Sequence, residues 1–392
     1  MTLHGKLFKW GLVAIIGLLS PCVSGLAEPV PALPPDRSLK KELARAIDGA
    51  CDYLLAHQAE DGSWSDADYP AITALALAAL QGDPEEHHAE KKAEVLKKGY
   101  RYLVGSVQPN GGIYRIESLT NYNTAVSVLA FVVANDPAYH EIIQAGRKYL
   151  IRGQQDFRAK GKRDNVLDGG IGYGDRYPHS DMSNTVLALE AIYHSRHLVQ
   201  DTAKMADDNL DWDAVIQFVQ NCQNLPETNQ QAWVSGDDAN RGGFVYFPGD
   251  SKAGEMTLPS GRTALRSYGS ISYAGLLSYI YAEMDFSDKR VQAVREWLER
   301  NYTLDENPFM GAQGLYYYFY TMSKALSLAG IEELKMKDGK SVRWAAELAL
   351  KMLDLQRSEG QWVNDNARWW EKDAVLVTAY GLLTVQNLYR SL

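Results

Sequence analysis

The chain has 392 residues, 46% of them hydrophobic, and a formal net charge of −9. A chain of this length buries one large core or two smaller ones. Because the charge is acidic and no basic run is present, nucleic acid is excluded as an expected partner, and anionic lipid headgroups are disfavoured.

Residues 1–27 are predicted to be a signal peptide. Lys6 and Lys9 precede the apolar stretch Trp10–Leu19, and small residues follow at Gly25–Ala27. About ten apolar residues are too few to span a bilayer. We therefore expect export to the periplasm or the medium, and a peripheral contact with a membrane is kept as an option. Residues 28–37 are rich in proline and are expected to form an extended leader.

Short cassettes of glutamine, glycine and an aromatic residue recur along the rest of the chain. The clearest are Gln58–Trp64, Gln108–Tyr114 and Gln356–Trp362, each with glycine four residues and an aromatic six residues after the glutamine. Looser relatives are Gln155 with Asp168–Tyr173, Gln223 with Asn240–Tyr246, and Asn307–Tyr317. Recurrence at intervals of about 50 to 70 residues indicates stacked supersecondary units.

Each cassette lies between two predicted helices, an amphipathic one before it and a more apolar one after it. The predicted first helices are 38–57, 89–103, 138–151, 212–222, 289–301 and 342–355. The predicted second helices are 72–80, 123–134, 181–193, 270–282, 314–328 and 373–388.

These helices predict an all-α fold, a single (α/α)6 toroid of six helical hairpins spanning residues 38–392. The apolar second helices would form a parallel inner ring and the amphipathic ones an outer wall. A straight solenoid is the alternative, but it usually needs a polar terminal repeat, and the last predicted helix is apolar. Parallel inner helices would gather their N-termini at one mouth of the ring, where N–H groups and dipoles favour polar or anionic ligands.

The QxxxGxW cassettes resemble the repeats of squalene-hopene cyclases, other terpenoid cyclases and the β subunits of protein prenyltransferases. The resemblance covers nearly all of the chain after the leader. It implies the toroid, and it implies that six cassette residues tie neighbouring helices together: Gln58, Trp64, Gln108, Tyr114, Gln356 and Trp362.

The resemblance also shows where this chain departs from its relatives. Squalene-hopene cyclases protonate their substrate from the central aspartate of a DxDDTA stretch, which here reads DMSNTV. Asp181 matches the first aspartate, whereas Ser183 and Asn184 replace the next two. A serine hydroxyl is far too weak an acid to generate a carbocation. Conventional alkene protonation from this position is therefore doubtful.

No metal or other cofactor is expected. Protein prenyltransferases hold zinc through an aspartate, a cysteine and a histidine. Neither Cys51 nor Cys222 lies near an aspartate at the start of a predicted inner helix. In a closed ring the two cysteines would also be too far apart to form a disulfide, so we expect two free, buried thiols.

The candidate site residues lie at the predicted mouth. Asp181 and His179 could act as acid and base, with Asp373 from the last repeat and Tyr268 completing the catalytic candidates; alternatively, Asp181 is a helix N-cap. Aromatic rings can stabilise a cation or stack on a sugar. The candidate substrate-binding residues are Asn123, Arg266, Tyr273, Tyr316, Tyr317, Trp369 and Trp370.

Three functions remain open. The first is an isoprenoid enzyme of cyclase or transferase type, with a hydrophobic small molecule in the ring. The second is a glycan-active lyase or hydrolase, which would need two carboxylates about 5 to 10 Å apart. The third is a ring that binds a ligand without chemistry. The lining of the central cavity distinguishes them, and the sequence leaves the oligomeric state undetermined.

Overall fold

The structure is a computed structural model, and it describes residues 37–84, 89–174, 179–199 and 210–392. Within those ranges it contains twelve α-helices and two short two-stranded sheets. The predicted all-α class is confirmed. The predicted signal peptide lies outside the described residues, as does the leader except for Arg37, which begins the first helix.

The helices alternate between an outer and an inner layer. The outer helices are α1 (Arg37–Ala56), α3 (Ala89–Val104), α5 (His140–Arg152), α7 (Trp212–Asn221), α9 (Lys289–Arg300) and α11 (Trp344–Leu355). The inner helices are α2 (Pro70–Gln81), α4 (Thr120–Ala134), α6 (Met182–His194), α8 (Gly269–Tyr281), α10 (Leu315–Leu328) and α12 (Ala374–Ser391).

Burial separates the two layers as the apolar patterns predict. Ten of the twelve residues of α2 are buried, because this helix packs on several sides. Only seven of the twenty residues of α1 are buried, and they recur at helical spacing along one face, from Leu43 to Leu55.

The inner helices close into a ring. Helices α2, α4, α6, α8, α10 and α12 each pack against the next, and α12 packs against α2. The first and last units also meet outside this ring, because α1 packs against α11 and α12. The Gln356 side chain crosses this seam and donates to the Ala46 carbonyl at 2.8 Å. The toroid is confirmed, and the open solenoid is excluded.

The cassettes explain how each unit joins its neighbour. The Gln58 side chain donates to the Gly62 carbonyl at 3.1 Å and to the Val95 carbonyl of the next outer helix at 2.9 Å. Gly62 has a φ of +91° and lies so close to the backbone of Lys98 that a Cβ would clash. Trp64 anchors the turn by donating from its indole to the Leu54 carbonyl at 2.8 Å. The glycine thus permits the cassette turn to approach the next outer helix closely, and the hydrogen bonds of the glutamine hold the two together.

In the third unit the glutamine of the cassette is Gln154 and not the predicted Gln155. The Gln154 side chain donates to the Gly169 carbonyl at 3.1 Å and to the Asp211 carbonyl at 3.0 Å, which is the bridging pattern of Gln58. Gln155 contributes its backbone to the turn instead. The predicted register was therefore one residue wrong in this unit.

The second unit shows the same shift. Gly111, with a φ of +88°, takes the left-handed position, one residue before Gly112, the glycine of the predicted cassette. The Gln108 side chain bonds within its own cassette, to the Tyr114 carbonyl at 2.7 Å. Ile113, and not Tyr114, takes the place of the cassette tryptophan: its N–H donates to Thr124 at 2.9 Å, as the N–H of Trp64 does to Thr73.

Two β-hairpins that were not predicted from the sequence lie in the connections between helices. Strands β1 (Glu255–Thr257) and β2 (Thr263–Leu265) pair antiparallel between α7 and α8. Strands β3 (Leu334–Lys335) and β4 (Ser341–Val342) pair antiparallel between α10 and α11. Neither changes the helical architecture.

Cys51 and Cys222 are both free and buried, as predicted. Burial raises the pKa of the Cys51 thiol to about 12 and that of Cys222 well above its ordinary value. Thiolate chemistry is therefore disfavoured at both. Among the described residues, no helix is long and apolar enough to cross a membrane.

Candidate functional site

A cavity of about 450 Å³ lies at the centre of the ring, where the N-terminal ends of all six inner helices meet. Each inner helix contributes to its wall, for example Ile72 from α2, Tyr122 from α4 and Tyr317 from α10. The predicted gathering of the helix N-termini at one mouth is therefore observed. This volume falls in the range typical of small-molecule pockets.

The described wall of the cavity is mainly aromatic and aliphatic. Its nine aromatic residues are Tyr69, Tyr122, Tyr173, Tyr246, Tyr268, Tyr317, Trp369, Trp370 and Tyr380. Its aliphatic residues are Ile72, Leu119, Ile271 and Leu376, and three serines, Ser118, Ser183 and Ser270, add small polar groups. Lys252 and Glu371 are the charged residues of this described wall.

Three tyrosines form the inner end of the cavity, which we call the floor: Tyr122, Tyr317 and Tyr380. All three also line a second, smaller cavity of about 70 Å³ further along the ring axis. The Tyr122 and Tyr380 hydroxyls lie 3.4 Å apart. Below the floor, Lys324 Nζ pairs with Glu190 Oε1 at 2.5 Å.

Trp369 and Trp370 form the outer rim. Both side chains line the cavity and remain partly accessible to solvent, 41% and 43% exposed. Both residues have positive φ, 54° and 65°, which is unfavourable for residues with a large side chain. The ring of Trp370 meets Tyr69 edge-on at 4.5 Å, so the rim contacts the neighbouring wall at the start of α2.

Glu371 fixes this rim to the start of α10. Its Oε1 accepts from the Tyr317 N–H at 2.8 Å, and its Oε2 accepts from the Tyr316 N–H at 3.3 Å and from Asn364 at 2.6 Å. The side chain is only 1% exposed. Burial raises the pKa of Glu371, and these hydrogen bonds oppose the rise. With donors on both oxygens, the carboxyl is held as a helix cap.

Asp181 and Ser183 have different environments although they are two residues apart. Asp181 is the N-cap of α6, fully buried, and accepts from the Asn184 N–H at 2.9 Å and the Asn184 side chain at 2.8 Å. Burial raises the pKa of Asp181 to about 7. Ser183, in contrast, lines the cavity. Ser183, which replaces the proton-donating aspartate of the cyclase motif, therefore presents only a hydroxyl to the cavity.

Side chains of the protein accept hydrogen bonds from the N–H groups at most helix N-termini around the cavity. Asn123 accepts from the Ala71 N–H of α2 at 3.1 Å, and Asn307 accepts from the Ser270 N–H of α8 at 2.9 Å. Asp373 caps α12, accepting from the N–H groups of Val375 and Leu376 at 2.9 and 3.1 Å. Helices α6 and α10 are capped by Asp181 and Glu371 as described. The expected attraction of anionic ligands is weakened, because these donors already have partners.

Four of the predicted site residues line the cavity, namely Tyr268, Tyr317, Trp369 and Trp370. The other seven do not belong to its described wall: Asp181, His179, Asp373, Asn123, Arg266, Tyr273 and Tyr316. His179 packs against the Phe247 ring at 4.5 Å, Arg266 donates to the Glu255 carbonyl at 3.2 Å, and Tyr273 packs against Tyr318 at 5.7 Å.

Several wall residues were not among the predicted site residues. Tyr246 and Lys252 belong to the connection between α7 and α8, and Tyr173 to the one between α5 and α6. The Lys252 ammonium lies 4.2 Å from the centre of the Tyr246 ring and pairs with Asp250 at 2.6 Å. The unusual length of these two connections was the available signal, since long ordered loops often form binding sites.

The described residues contain no group of three histidine, cysteine, aspartate or glutamate side chains arranged to hold a metal ion. The chemistry of the described wall therefore depends on tyrosine and serine hydroxyls, one carboxyl and one amine.

Comparison with known proteins supports the fold. No protein-family profile matches the chain. Squalene–hopene cyclase from Alicyclobacillus acidocaldarius is 24% identical over 272 residues, covering 64% of this chain and 39% of the cyclase. The match therefore spans well under half of the length of that relative.

Solved structures match over nearly the whole chain. A ligand-free variant of the type II terpene cyclase MstE from Scytonema superposes with a TM-score of 0.54 at 12% identity, covering 91% of this chain and 100% of the cyclase. Another MstE variant, in complex with geranylgeranyl dihydroxybenzoate, gives 0.52 at 12% identity, with coverage of 91% and 100%. The GH76A α-1,6-mannanase from Salegentibacter gives 0.53 at 11% identity, with coverage of 91% and 99%.

Fold and site together define an α/α toroid with a central aromatic cavity, and the chain is similar to squalene–hopene cyclase in sequence and to type II terpene cyclase MstE in fold. The resemblance drawn from the cassettes is confirmed at this level. Its protein prenyltransferase branch stays a prediction, and identities of 11% to 12% show the fold alone.

Proposed function

We propose that the protein binds a neutral, hydrophobic isoprenoid molecule in the central cavity. The observation that carries this proposal is the composition of the described wall, in which nine of eighteen residues are aromatic and four are aliphatic. Burial of apolar ligand surface against such a wall contributes about 25 cal/mol per Å². A charged ligand such as a diphosphate is disfavoured, since five of the six inner helices already have a side-chain acceptor at their N-terminus and Lys252 is already paired with Asp250.

Binding without cyclisation is the favoured role. Protonation of an alkene needs a strong, exposed acid, and Ser183 stands at the matching position. Glu371 has donors on both oxygens, and Asp181 is buried as the cap of α6. The MstE complex with geranylgeranyl dihydroxybenzoate shows that a similar ring holds a prenylated molecule, and this supports the proposed ligand class.

A glycan-binding function is the second candidate, favoured by the partly exposed Trp369 and Trp370 at the rim. Tryptophan rings suit stacking on sugars, and the mannanase shares the fold. Glycoside hydrolysis usually requires two carboxylates flanking the bond. Among the described residues of the cavity wall, Glu371 supplies only one.

A fluorescence titration separates these candidates. The purified protein is titrated with the polyprenyl alcohol geranylgeraniol and, separately, with α-1,6-mannotriose. We expect saturable binding of the alcohol and none of the sugar. The variant Ser183→Trp fills the cavity and should abolish binding.

The matched control is Ser287→Trp, which places the same ring on an exposed residue between α8 and α9. It should bind like the wild type. Binding of mannotriose alone, or equal binding of the alcohol by both tryptophan variants, would contradict the isoprenoid proposal.

We further propose that the protein is exported, and this rests on the sequence of residues 1–27. A location outside the cytoplasm suits a protein that binds a membrane-derived hydrophobic molecule, and the exposed Trp369 and Trp370 would face the lipid during loading.

A further inference from the structure

The Tyr317 hydroxyl is the unusual group of the cavity floor. Tyr317 lines both the central cavity and the smaller one below it. Its hydroxyl is buried and has no hydrogen-bond partner among the described residues. The other two floor hydroxyls, those of Tyr122 and Tyr380, face one another at 3.4 Å. One polar group at the inner end of a mainly aromatic and aliphatic cavity is therefore left to interact with a ligand.

The backbone and neighbours of Tyr317 fix the position of this hydroxyl. The Tyr317 N–H donates to Glu371 Oε1 at 2.8 Å, and its carbonyl accepts from Thr321 at 2.9 Å. Its ring meets the Tyr380 ring edge-on at 5.8 Å. A side chain held in this way keeps its hydroxyl in a fixed position. A fixed hydroxyl can select ligands that place an oxygen atom within hydrogen-bond distance of it.

A buried hydroxyl without a partner is costly, because folding removes its hydrogen bonds to water. Oxygen atoms on a ligand would restore the bond, whereas a hydrocarbon would leave it unmade. Below the floor, the Lys324–Glu190 pair at 2.5 Å makes this end of the ring more polar than the middle of the cavity.

We propose that Tyr317 hydrogen-bonds an oxygen atom at the inner end of the ligand, so that the ligand is an isoprenoid alcohol or ketone and not a pure hydrocarbon. This rests on the proposed binding of an isoprenoid in the central cavity. The apolar body of the ligand would lie against the aromatic wall, and its oxygen-bearing end would reach Tyr317. Trp369 and Trp370 would cover the opposite end.

The experiment compares two ligands on three proteins. Geranylgeraniol and the matching hydrocarbon without the hydroxyl are titrated into the wild type, Tyr317→Phe and Tyr281→Phe. In the wild type the alcohol should bind about three- to tenfold more tightly than the hydrocarbon. Tyr317→Phe should lose this preference while keeping its affinity for the hydrocarbon.

Tyr281→Phe is the matched control, because the Tyr281 hydroxyl is also buried without a hydrogen-bond partner among the described residues, but Tyr281 lies at the C-terminal end of α8 and lines neither cavity. It should keep the wild-type preference. If Tyr317→Phe keeps that preference too, the inference is overturned; this is also the result expected if a water molecule in the smaller cavity satisfies the hydroxyl. If neither ligand binds the wild type, the proposed function itself fails.

Discussion

Asp181 and Ser183 show how a small change of position along a helix separates structural from cavity-facing roles. Asp181 precedes the first residue of α6 and has an extended backbone, with φ −143° and ψ 158°, so its side chain folds back to cap the helix. Ser183 lies within the first turn of α6 and lines the cavity. The observed capping agrees with the alternative reading of Asp181 as an N-cap.

The buried Asp181 carboxyl should make stability depend on pH. Its pKa rises from an ordinary 3.8 to about 7 in the folded protein. The folded state thus retains a proton that the unfolded chain releases, so ionisation weakens folding as pH rises from about 4 to about 7, by at most about 1.4 kcal/mol per pH unit. The side chain in Asp181→Asn cannot ionise. This variant should therefore lack the part of the pH-dependent loss of stability that comes from Asp181.

The measurement is the free energy of unfolding in urea at about pH 5 and about pH 8. The stability of Asp181→Asn relative to the wild type should rise between these two conditions. Asp181→Ala, which also loses the cap, should be weaker than Asp181→Asn by about 1 kcal/mol at both. Parallel profiles for the wild type and Asp181→Asn would show that the carboxyl does not titrate in this window.

Some residues of the wall could be predicted from the sequence and others could not. Tyr268, Tyr317, Trp369 and Trp370 lie at or near the start of an inner helix, and the direction of the helices places them at the mouth. Tyr246 enters from a long connection. Connections of this kind have no periodicity from which the direction of a side chain could be predicted.

At the scale of the helices, several units provide a side chain that caps the inner helix of the preceding unit. Asn123 of the second unit caps α2, Asn307 of the fifth caps α8, and Glu371 of the sixth caps α10. A cap satisfies N–H groups that a helix cannot satisfy internally, and its loss costs about 1 kcal/mol. Asn123 was predicted to bind substrate, and its position shows that it links neighbouring units.

The glycine of the last cassette should be indispensable to ring closure. Gly360 has a φ of +90°, and a Cβ there would clash with the backbone of Gly49 in α1. Gly339, in the turn between β3 and β4, has a similar φ of +83° but open space around it. Gly339→Ala should therefore cost only the backbone strain, about 1 to 2 kcal/mol, whereas Gly360→Ala should cost at least twice as much.

Urea unfolding of both alanine variants checks this expectation. The comparison isolates the contact across the seam between α1 and the last cassette, because the two glycines share their backbone conformation. Equal losses in the two variants would show that the closing contact contributes little to stability.

The helix boundaries were predicted to within a few residues because the apolar spacing is strong along both layers. The register of two cassettes was not predicted correctly, because each of them contains two adjacent glycines. Gly111 and Gly112, like Gly169 and Gly170, offer two positions for one left-handed residue. Only the contact with the next outer helix selects the first glycine of each pair.

At the scale of the whole molecule, closure of the ring creates the site. All six inner helices contribute to one cavity, so an open superhelix would have no equivalent space. The sequence predicted the closed ring from its repeats and its apolar last helix. It could not predict that the cavity would be mainly aromatic with a single carboxyl in its described wall, since that depends on how six units meet.

The most direct test of the account is a crystal structure of the protein equilibrated with geranylgeraniol. We predict one molecule along the ring axis, with its apolar body against the aromatic wall between Trp370 and the floor. A central cavity filled by side chains, or density for the alcohol only on the outer surface, would contradict the account.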